Sequence, residues 1–223
     1  MSEQAPLPLS PTPRSTVNRY PHRAADHRQV LYNVLDSGLI CHVGFIAEDT
    51  PVVMPSVYGR DGDTLYFHAS RAARSARIFA EGAPICVTVT HLDGIVYARD
   101  VAHNSVNYRS AMIYGTGRAL VDEADKLKGL HVMAGHMAPG AWDYGNRPDS
   151  RDLLRVAVMC LDLSEASVKI RNEPPSNHGK EPDLQKWAGV LPVQTRFGVP
   201  QPQGDVPPDL AVPDHIAQRR MTP

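Results

Sequence analysis

Hydrophobic and polar positions alternate with a period of two over most of the central chain, which is the pattern of half-buried β-strands. Eight such segments, separated by turns rich in Gly, Asp and Pro, predict strands at residues 39–47, 51–58, 64–68, 83–92, 95–100, 110–121, 153–163 and 167–171. Three segments with hydrophobic residues at helical spacing predict helices at residues 25–37, 70–81 and 123–138. Hairpin-linked strands with few helices favour a closed antiparallel sheet, because closure leaves no exposed strand edge.

Two local features refine this prediction. Ser70 stands at a strand-to-helix junction and is expected to cap the helix at residues 70–81. Gly115 and Gly117 lie within a strand pattern, and the chain contains no GxGxxG fingerprint. We therefore expect a β-bulge at these glycines rather than a dinucleotide-binding loop.

The 20 prolines are unevenly distributed along the 223-residue chain, with many near the two ends. Proline supplies no N–H for strand pairing and fixes φ, so Pro-rich polar ends are expected to be extended or disordered. We predict three regions: a Pro-rich leader at residues 1–23, one folded domain at residues 24–198 and a Pro-rich arm at residues 199–223.

The charge balance and several absent motifs exclude some classes of protein. Lys and Arg total 23 against 24 Asp and Glu, and a net charge of −1 argues against general binding of nucleic acid. No segment approaches the roughly 18–20 apolar residues of a membrane helix, and no signal peptide is visible, so a cytoplasmic location is expected. Neither CxxC nor HExxH occurs, so we expect no metal site.

Residues 68–77 combine a predicted helix N-terminus with three arginines. The free N–H groups and the dipole of a helix favour an anion at such a position. Arg71, Arg74 and Ser75 are expected to share one helix face, where together with Ser70 they would bind a phosphate monoester. The alternative is a basic helix face that contacts only solvent.

Two further segments are candidates for contact with a ligand. Residues 103–110 are dense in hydrogen-bond donors, and the alternative is a turn whose polar groups bond locally. Trp187 follows a polar loop, where its large ring is expected to pack on the core, on a partner subunit or on a flat ligand.

A family resemblance rests on four segments in order: PVVMPSVYGRDGDTLYFHASRAAR, ICVTVTHLDGIVYARDVAHNSVNYRSAMIYGTG, SVKIR and WAGVLPV. They resemble the FMN-binding split barrels, and most of all the pyridoxamine 5′-phosphate oxidase-like flavoproteins of the nitroimidazole-resistance type, over about residues 30–193. The resemblance implies a mainly β fold with short helices, a six-stranded antiparallel split β-barrel of Greek-key type. It also implies a homodimer with FMN at each subunit interface.

The same resemblance implies which residues contact the cofactor. One strand would border the flavin ring, a cationic pair would hold its phosphate, and a late tryptophan would reach it from the partner chain. The implied cofactor contacts are Met54, Pro55, Ser56, Val57, His68, Ser70, Arg71, Arg74, Ser75, Tyr108, Arg109, Ser110 and Trp187. His68 and Tyr108 are also candidate proton donors in catalysis, with a structural hydrogen bond as the alternative role of each.

The sequence departs from the family pattern at three places. Ser75 stands where many members carry lysine, so Arg71 or Arg77 would supply the missing charge. Ser110 replaces a glutamine that addresses the flavin edge. The C-terminal arginine–histidine pair by which pyridoxamine phosphate oxidases hold their substrate is not visible after Trp187. This last departure argues against synthesis of pyridoxal phosphate.

We therefore expect an FMN-dependent oxidoreductase that acts on a small molecule, either as a reductase of nitro compounds or quinones or as an oxidase. NADH, NADPH or a reduced substrate would supply the electrons. Two alternatives stay open: a split-barrel protein that holds haem or a deazaflavin, and a protein that binds flavin without catalysis.

Overall fold

The computed structural model describes Leu9 and residues 12–176, 181 and 183–221. Its strands are β1 (Ala24–Ala25), β2 (Ile40–Ala47), β3 (Thr50–Asp61), β4 (Thr64–Ser70), β5 (Ala83–Tyr97), β6 (Ser105–Ala119), β7 (Val156–Asp162), β8 (Glu165–Arg171) and β9 (Gly189–Pro192). Its helices are α1 (Arg28–Ser37), α2 (Arg74–Ala80), α3 (Glu123–Met137), α4 (Ala141–Tyr144), α5 (Ser150–Arg155) and α6 (Asp214–Ala217).

Six antiparallel strands form a closed ring in the order β2, β3, β4, β7, β6 and β5. The ring closes because β6 pairs with β5 on one side and with β7 on the other. Strand β8 adds to β6, β1 adds to β8, and β9 adds to β5. The prediction of a mainly β, antiparallel fold with short helices is therefore confirmed.

The hydrophobic core fills the ring. Directly paired residues share a face of the sheet, and the buried positions Val43, Val87 and Ile113 lie in one such row across β2, β5 and β6. Phe79 of α2 is fully buried, with its ring centroid 5.1 Å from that of Phe45 and 5.8 Å from that of Phe67. Helix α1 adds further fully buried side chains to the same cluster.

Helix α3 covers the outside of the ring at β3, β4 and β7, where a second, smaller apolar cluster contains Tyr66, Met133 and Val158. Glycines allow this close approach. A Cβ on Gly59 would lie 2.7 Å from the carbonyl oxygen of Val132 in α3. No helix within the described residues is long and apolar enough to cross a membrane.

The first half of the sheet differs from the predicted boundaries. Strand β3 continues through the predicted turn at residues 59–63, and the chain reverses at Gly62, whose φ is +55°. Helix α2 begins at Arg74 with Ala73 as N-cap, so the prediction that Ser70 caps it is wrong. Ser70 is instead the last residue of β4, where its pairing with Val156 of β7 extends the strand.

The predicted β-bulge at Gly115 and Gly117 is also wrong, because the β5–β6 register is continuous there. The glycines instead make room for side chains, since a Cβ at either position would lie within 2.8 Å of Leu161 or Ile85. The register shifts instead between Leu92 and Gly94. Strand β5 therefore runs continuously through the gap predicted at residues 93–94, and β6 begins at Ser105 rather than at Ser110.

The described parts of both chain ends lie against the folded body. In the leader, Arg14 donates two hydrogen bonds to the Glu165 carboxylate of β8, at 2.7 and 2.5 Å. In the arm, Arg219 donates to the carbonyl oxygens of His136 and Met137 at the end of α3, at 3.2 and 3.3 Å. Residues 1–8, 10, 11, 222 and 223 of these predicted regions lie outside the described residues.

Candidate functional site

A gap opens in the ring between β3 and β4. Strand β3 pairs with β4 only over Tyr58–Asp61, while its first part, Thr50–Val57, pairs with β2. Strand β4 continues beyond the Tyr58–Phe67 pair to Ser70. Beyond the Tyr58–Phe67 pair, β3 and β4 diverge. Among the described residues, no strand pairs with the edge of β3 that faces β4 or with the edge of β4 that faces β3. Backbone N–H and C=O groups of β3 are therefore available to a ligand in the gap, which we call the β3–β4 gap.

The four residues predicted on β3 line this edge and alternate between the two faces of the sheet. Met54 and Ser56 face inward, opposite Val43 and the buried Cys41, and Met54 packs against the core. Pro55 and Val57 face outward. Because Pro55 has no backbone N–H, it suits an edge on which that donor is not needed for pairing.

His68 and Ser70 lie at the end of β4 on the other side of the gap, and both are exposed. Burial of part of the His68 imidazole lowers its pKa, because desolvation disfavours the charged ring. His68 is therefore largely neutral at pH 7. Ser70 Oγ accepts a hydrogen bond from the backbone N–H of Ala72 at 3.3 Å, which shapes the turn into α2.

The arginines predicted to bind phosphate lie where β4 leads into α2. Helix α2 contains Arg74, Ser75 and Arg77 but not Arg71, so the prediction that Arg71 shares its face is wrong. Arg71 is exposed in the preceding turn, where its backbone N–H donates to the carbonyl oxygen of Arg155 at 2.9 Å. Ser75 is 6% exposed, which leaves Arg71 and Arg74 as the accessible groups at the start of α2, with the exposed Arg77 one turn further on.

A carboxylate that the sequence analysis did not consider faces Arg74. Glu48 Oε2 lies 3.7 Å from Arg74 Nη1, and the Glu48 side chain is 81% exposed. Glu48 and Asp49 form the two-residue turn between β2 and β3, and both have positive φ, as a type I′ hairpin requires. The ion pair is long and solvated, so an anionic ligand could displace Glu48 at little cost.

The second predicted segment does not converge on the β3–β4 gap within one chain. Tyr108 and Ser110 lie on the outward face of β6, paired with Leu92 and Thr90 of β5. Val57 and Ser110 are separated by β2 and β5, which corresponds to roughly 14 Å across three strand spacings. Tyr108 and Ser110 therefore do not lie beside the β3–β4 gap of their own chain.

Arg109 lies on the opposite face of β6 from its two neighbours. Its Nε donates to Asp93 Oδ2 at 3.1 Å, and its Nη2 donates to Asp93 Oδ1 at 3.1 Å. Asp93 sits at the register shift of β5, so the sequence predicted neither its position nor this ion pair. Residues 108–110 therefore do not act as one group.

Trp187 precedes β9 and is 70% exposed. Its ring centroid lies 6.2 Å from that of Tyr97 at the end of β5, and a Cβ on Gly189 would touch the indole. The indole is therefore held near the β5–β9 edge without being buried in the core, and its contact with a partner subunit or a ligand stays a prediction.

The outward face of the sheet carries exposed apolar side chains that the sequence analysis did not single out. We call this set the outer sheet face; its members are Ile40, Ile46, Val53, Leu92 and Met112. Val53 is 69% exposed and Ile46 58% exposed. Adjacent apolar residues such as Phe45 and Ile46 in β2 or Val52 and Val53 in β3 signal that one of them is exposed, but only the strand register shows that the exposed ones share a face.

The arrangement at the β3–β4 gap has a chemical consequence. A free strand edge offers donors and acceptors in one line, which matches a flat heterocycle with polar atoms along one side. The two accessible arginines at one end of the gap match a phosphate. Among the described residues, no group of three or more His, Cys, Asp or Glu side chains is placed to hold a metal ion.

The sequence model of the family described as pyridoxamine 5′-phosphate oxidase matches residues 27–170. No curated protein matches the chain.

Two solved structures are similar over nearly the whole chain. The flavocytochrome Anf3 from Azotobacter vinelandii is 32% identical, covers 96% of this chain and all (100%) of its own, and superimposes with a TM-score of 0.89. An FAD- and haem-binding protein from Mycobacterium smegmatis is 30% identical, with 90% of this chain and 97% of its own covered and a TM-score of 0.84.

A third structure shares the fold alone. A protein described as a 5-nitroimidazole antibiotic resistance protein, from Bacteroides thetaiotaomicron, is 20% identical. It covers 66% of this chain and 86% of its own, with a TM-score of 0.53.

Proposed function

Since this chain belongs to the pyridoxamine 5′-phosphate oxidase family and has its flavin-binding fold, we propose that it is a flavin-dependent oxidoreductase. The observation that carries the proposal is the β3–β4 gap, where an unpaired strand edge ends beside two accessible arginines. In this proposal the substrate is a small molecule, and NADH, NADPH or a reduced substrate supplies the electrons.

The residues of the gap have separate tasks in this proposal. The β3 backbone at Met54–Val57 orients the flavin ring, and Arg74 holds its phosphate. The flavin, when bound, supplies the redox chemistry. Because the pKa of His68 is lowered, its neutral imidazole is suited to accept a proton at pH 7, which leaves Tyr108 as the candidate proton donor.

The proposed site fits either of two flavin nucleotides, FMN or FAD. FMN is the form predicted from the sequence, whereas the Mycobacterium smegmatis protein is described as binding FAD. Both carry the same ring and ribityl phosphate, so both fit an arginine at the end of the gap. Release of the flavin by heat and chromatography against standards distinguish them, because only FAD carries an adenylate.

A specific observation favours haem as a second cofactor. The two structures similar over nearly the whole chain are a flavocytochrome and an FAD- and haem-binding protein. Within the described part of the chain, the imidazoles of His42 and His68 are exposed and form no hydrogen bond, ion pair or ring contact. A neutral imidazole with a free nitrogen is the usual protein ligand of haem iron. If haem is bound, we propose that His68, whose pKa is lowered, would hold the iron and would then not be the proton acceptor at the flavin; His42 is the alternative.

The outer sheet face supports a homodimer. Apolar side chains exposed together on one sheet mark an interaction surface. A second copy packed there would also bring Tyr108, Ser110 and Trp187 towards the partner's gap, which these residues do not reach within their own chain. The proposed partner is therefore another copy of this chain.

The spectrum of the purified protein tests the function. We expect flavin absorption, bleached by anaerobic NADH or NADPH, and a Soret band that is lost in His68→Ala. A colourless protein that takes up neither FMN nor FAD would exclude the proposal. Bound flavin that neither nicotinamide reduces would favour the non-catalytic alternative, and a deazaflavin spectrum would favour that cofactor. Loss of the Soret band in His42→Ala alone would assign haem to His42.

The phosphate contact gives a sharper test. Arg74→Ala should weaken flavin binding by about 1.5–3 kcal/mol, the range for a hydrogen bond to a charged group, when the flavin-free protein is titrated and flavin fluorescence is followed. Glu48→Gln is the matched variant, because it removes the carboxylate that competes for Arg74 and should leave binding unchanged or tighter. Unchanged affinity in Arg74→Ala would remove Arg74 from the site.

A further inference from the structure

A cavity at the α1 end of the ring plays no part in the flavin proposal, and we propose that it binds a small monocarboxylate. The cavity has a volume of about 410 Å³. Five separate parts of the chain form its walls: the end of α1, the register shift of β5, Arg109 of β6, the segment that follows β9, and Met221 of the arm. We call it the Arg109 cavity.

The floor of the Arg109 cavity is built around a fixed cation. Asp93 holds the Arg109 guanidinium through the two 3.1 Å hydrogen bonds, and Arg109 Nη1 lies 3.5 Å from Ser37 Oγ. The side chains of Arg109 and Asp93 are 30% and 35% exposed, so the pair is half-buried. A guanidinium already held in place loses little conformational freedom when it binds an anion.

The register shift in β5 serves this arrangement. Bulges re-aim a side chain and are common beside binding sites. Here the shift between Leu92 and Gly94 places Asp93 beside Arg109. The Asp93 carbonyl oxygen also accepts a hydrogen bond from the Val193 N–H at 3.0 Å, which ties the segment after β9 to the cavity.

The lining chemistry indicates the class of ligand. Arg196 also lines the cavity and is exposed, and within the described residues its guanidinium has no ion pair or hydrogen bond. Two arginines against the single carboxylate of Asp93 leave one positive charge for a monoanion. Hydroxyl and amide groups of Thr195 and Gln194 can complete the hydrogen bonds of a carboxylate, while Met221 can contact an apolar skeleton.

Two isosteric probes test the proposal. Binding of 4-fluorobenzoate and 4-fluorobenzamide to the flavin-loaded protein is followed by ¹⁹F NMR. The benzoate should bind about tenfold or more tightly than the amide, because only the benzoate carries the charge. Arg196→Gln should weaken benzoate binding about tenfold, while Arg147→Gln, an exposed arginine paired with Asp143, should not change it.

Equal binding of the two probes, no binding of the benzoate, or an unchanged affinity in Arg196→Gln would overturn the proposal. Arg109→Lys is a second variant. It keeps the positive charge but loses the guanidinium that donates two hydrogen bonds to Asp93, so it should also weaken benzoate binding. Flavin absorbance is recorded in every sample. A protein without flavin that still binds the benzoate would count against the proposed function only.

Discussion

Gly59 lies where α3 comes closest to the sheet. A Cβ at this position would lie 2.7 Å from the Val132 carbonyl oxygen and 2.8 Å from the Cα of Met133. Both neighbours belong to the backbone of α3, so neither can rotate away as a flexible side chain would. The position of the helix over β3 and β4 therefore depends on the absence of one methyl group.

Gly59→Ala should lower the free energy of unfolding by about 1–3 kcal/mol, the usual cost of overpacking, as measured by urea denaturation. Gly135→Ala, in helix α3 itself, is the control variant. A Cβ on Gly135 meets nothing within 4 Å, and alanine is the better helix former, so a gain of about 0.5–1 kcal/mol is expected. Equal effects of the two variants would mean that α3 shifts freely on the sheet.

Single residues also show which predictions were accessible from the sequence. The buried positions of β2 alternate strictly, and the strand begins one residue after its predicted start and ends at its predicted end. Ser70 was misplaced because capping residues are common at helix starts, whereas its pairing with Val156 is a long-range contact that no local pattern reports. The Asp93-Gly94 pair likewise has the local pattern of a turn, since only the partner strand reveals the register shift.

At the scale of elements, the leader and the arm are held against the body by arginines. Arg14 pairs with Glu165 of β8, and its guanidinium carbon lies 5.2 Å from the centroid of the Tyr114 ring. The composition of these segments predicted extended chain, because prolines exclude regular pairing. The contacts of single arginines along an extended chain leave no periodic signal, so the sequence could not indicate them.

The contact between the leader and β8 predicts a pH dependence. Hydrogen bonds from Arg14 and Thr12 lower the pKa of Glu165 to about 2. A carboxylate whose pKa is lower in the folded state stabilises the fold above its unfolded pKa, near 4.5, and this contribution is lost as the pH falls towards 2. Glu165→Gln should therefore be less stable than the unchanged protein at pH 6, and the difference should narrow as the pH falls below about 4.5.

Urea denaturation at several pH values between 6 and 3 measures this difference. Glu81→Gln is the control, because Glu81 is exposed after α2 and its side chain has no ion pair or hydrogen bond among the described residues. A difference between Glu165→Gln and the unchanged protein that stays constant over this range would show that the Arg14 contact does not depend on the charge of Glu165.

At the scale of the whole molecule, the residues proposed to contact the cofactor lie at two separate places on one chain. One chain supplies the β3 edge, the end of β4 and the arginines near α2. The outward residues of β6 lie roughly 14 Å away across the sheet. Composition and periodicity predicted the ring, but they carry no information about which face meets a partner. The residues on the outer sheet face became visible only when the strand register placed them together.

The final prediction links assembly to cofactor binding. Val53→Glu places a charge at the most exposed apolar position of the outer sheet face and should convert a dimer of twice 24.4 kDa into a monomer. The monomer should lose most of its flavin, because Tyr108, Ser110 and Trp187 would no longer reach a partner's gap. Sedimentation velocity gives the mass, and absorbance gives the flavin content of the same sample. Leu154→Glu, at an apolar residue of α5 that is 63% exposed, should change neither. A Val53→Glu monomer with full flavin content would show that one chain holds the cofactor alone, and a persistent dimer would place the interface elsewhere.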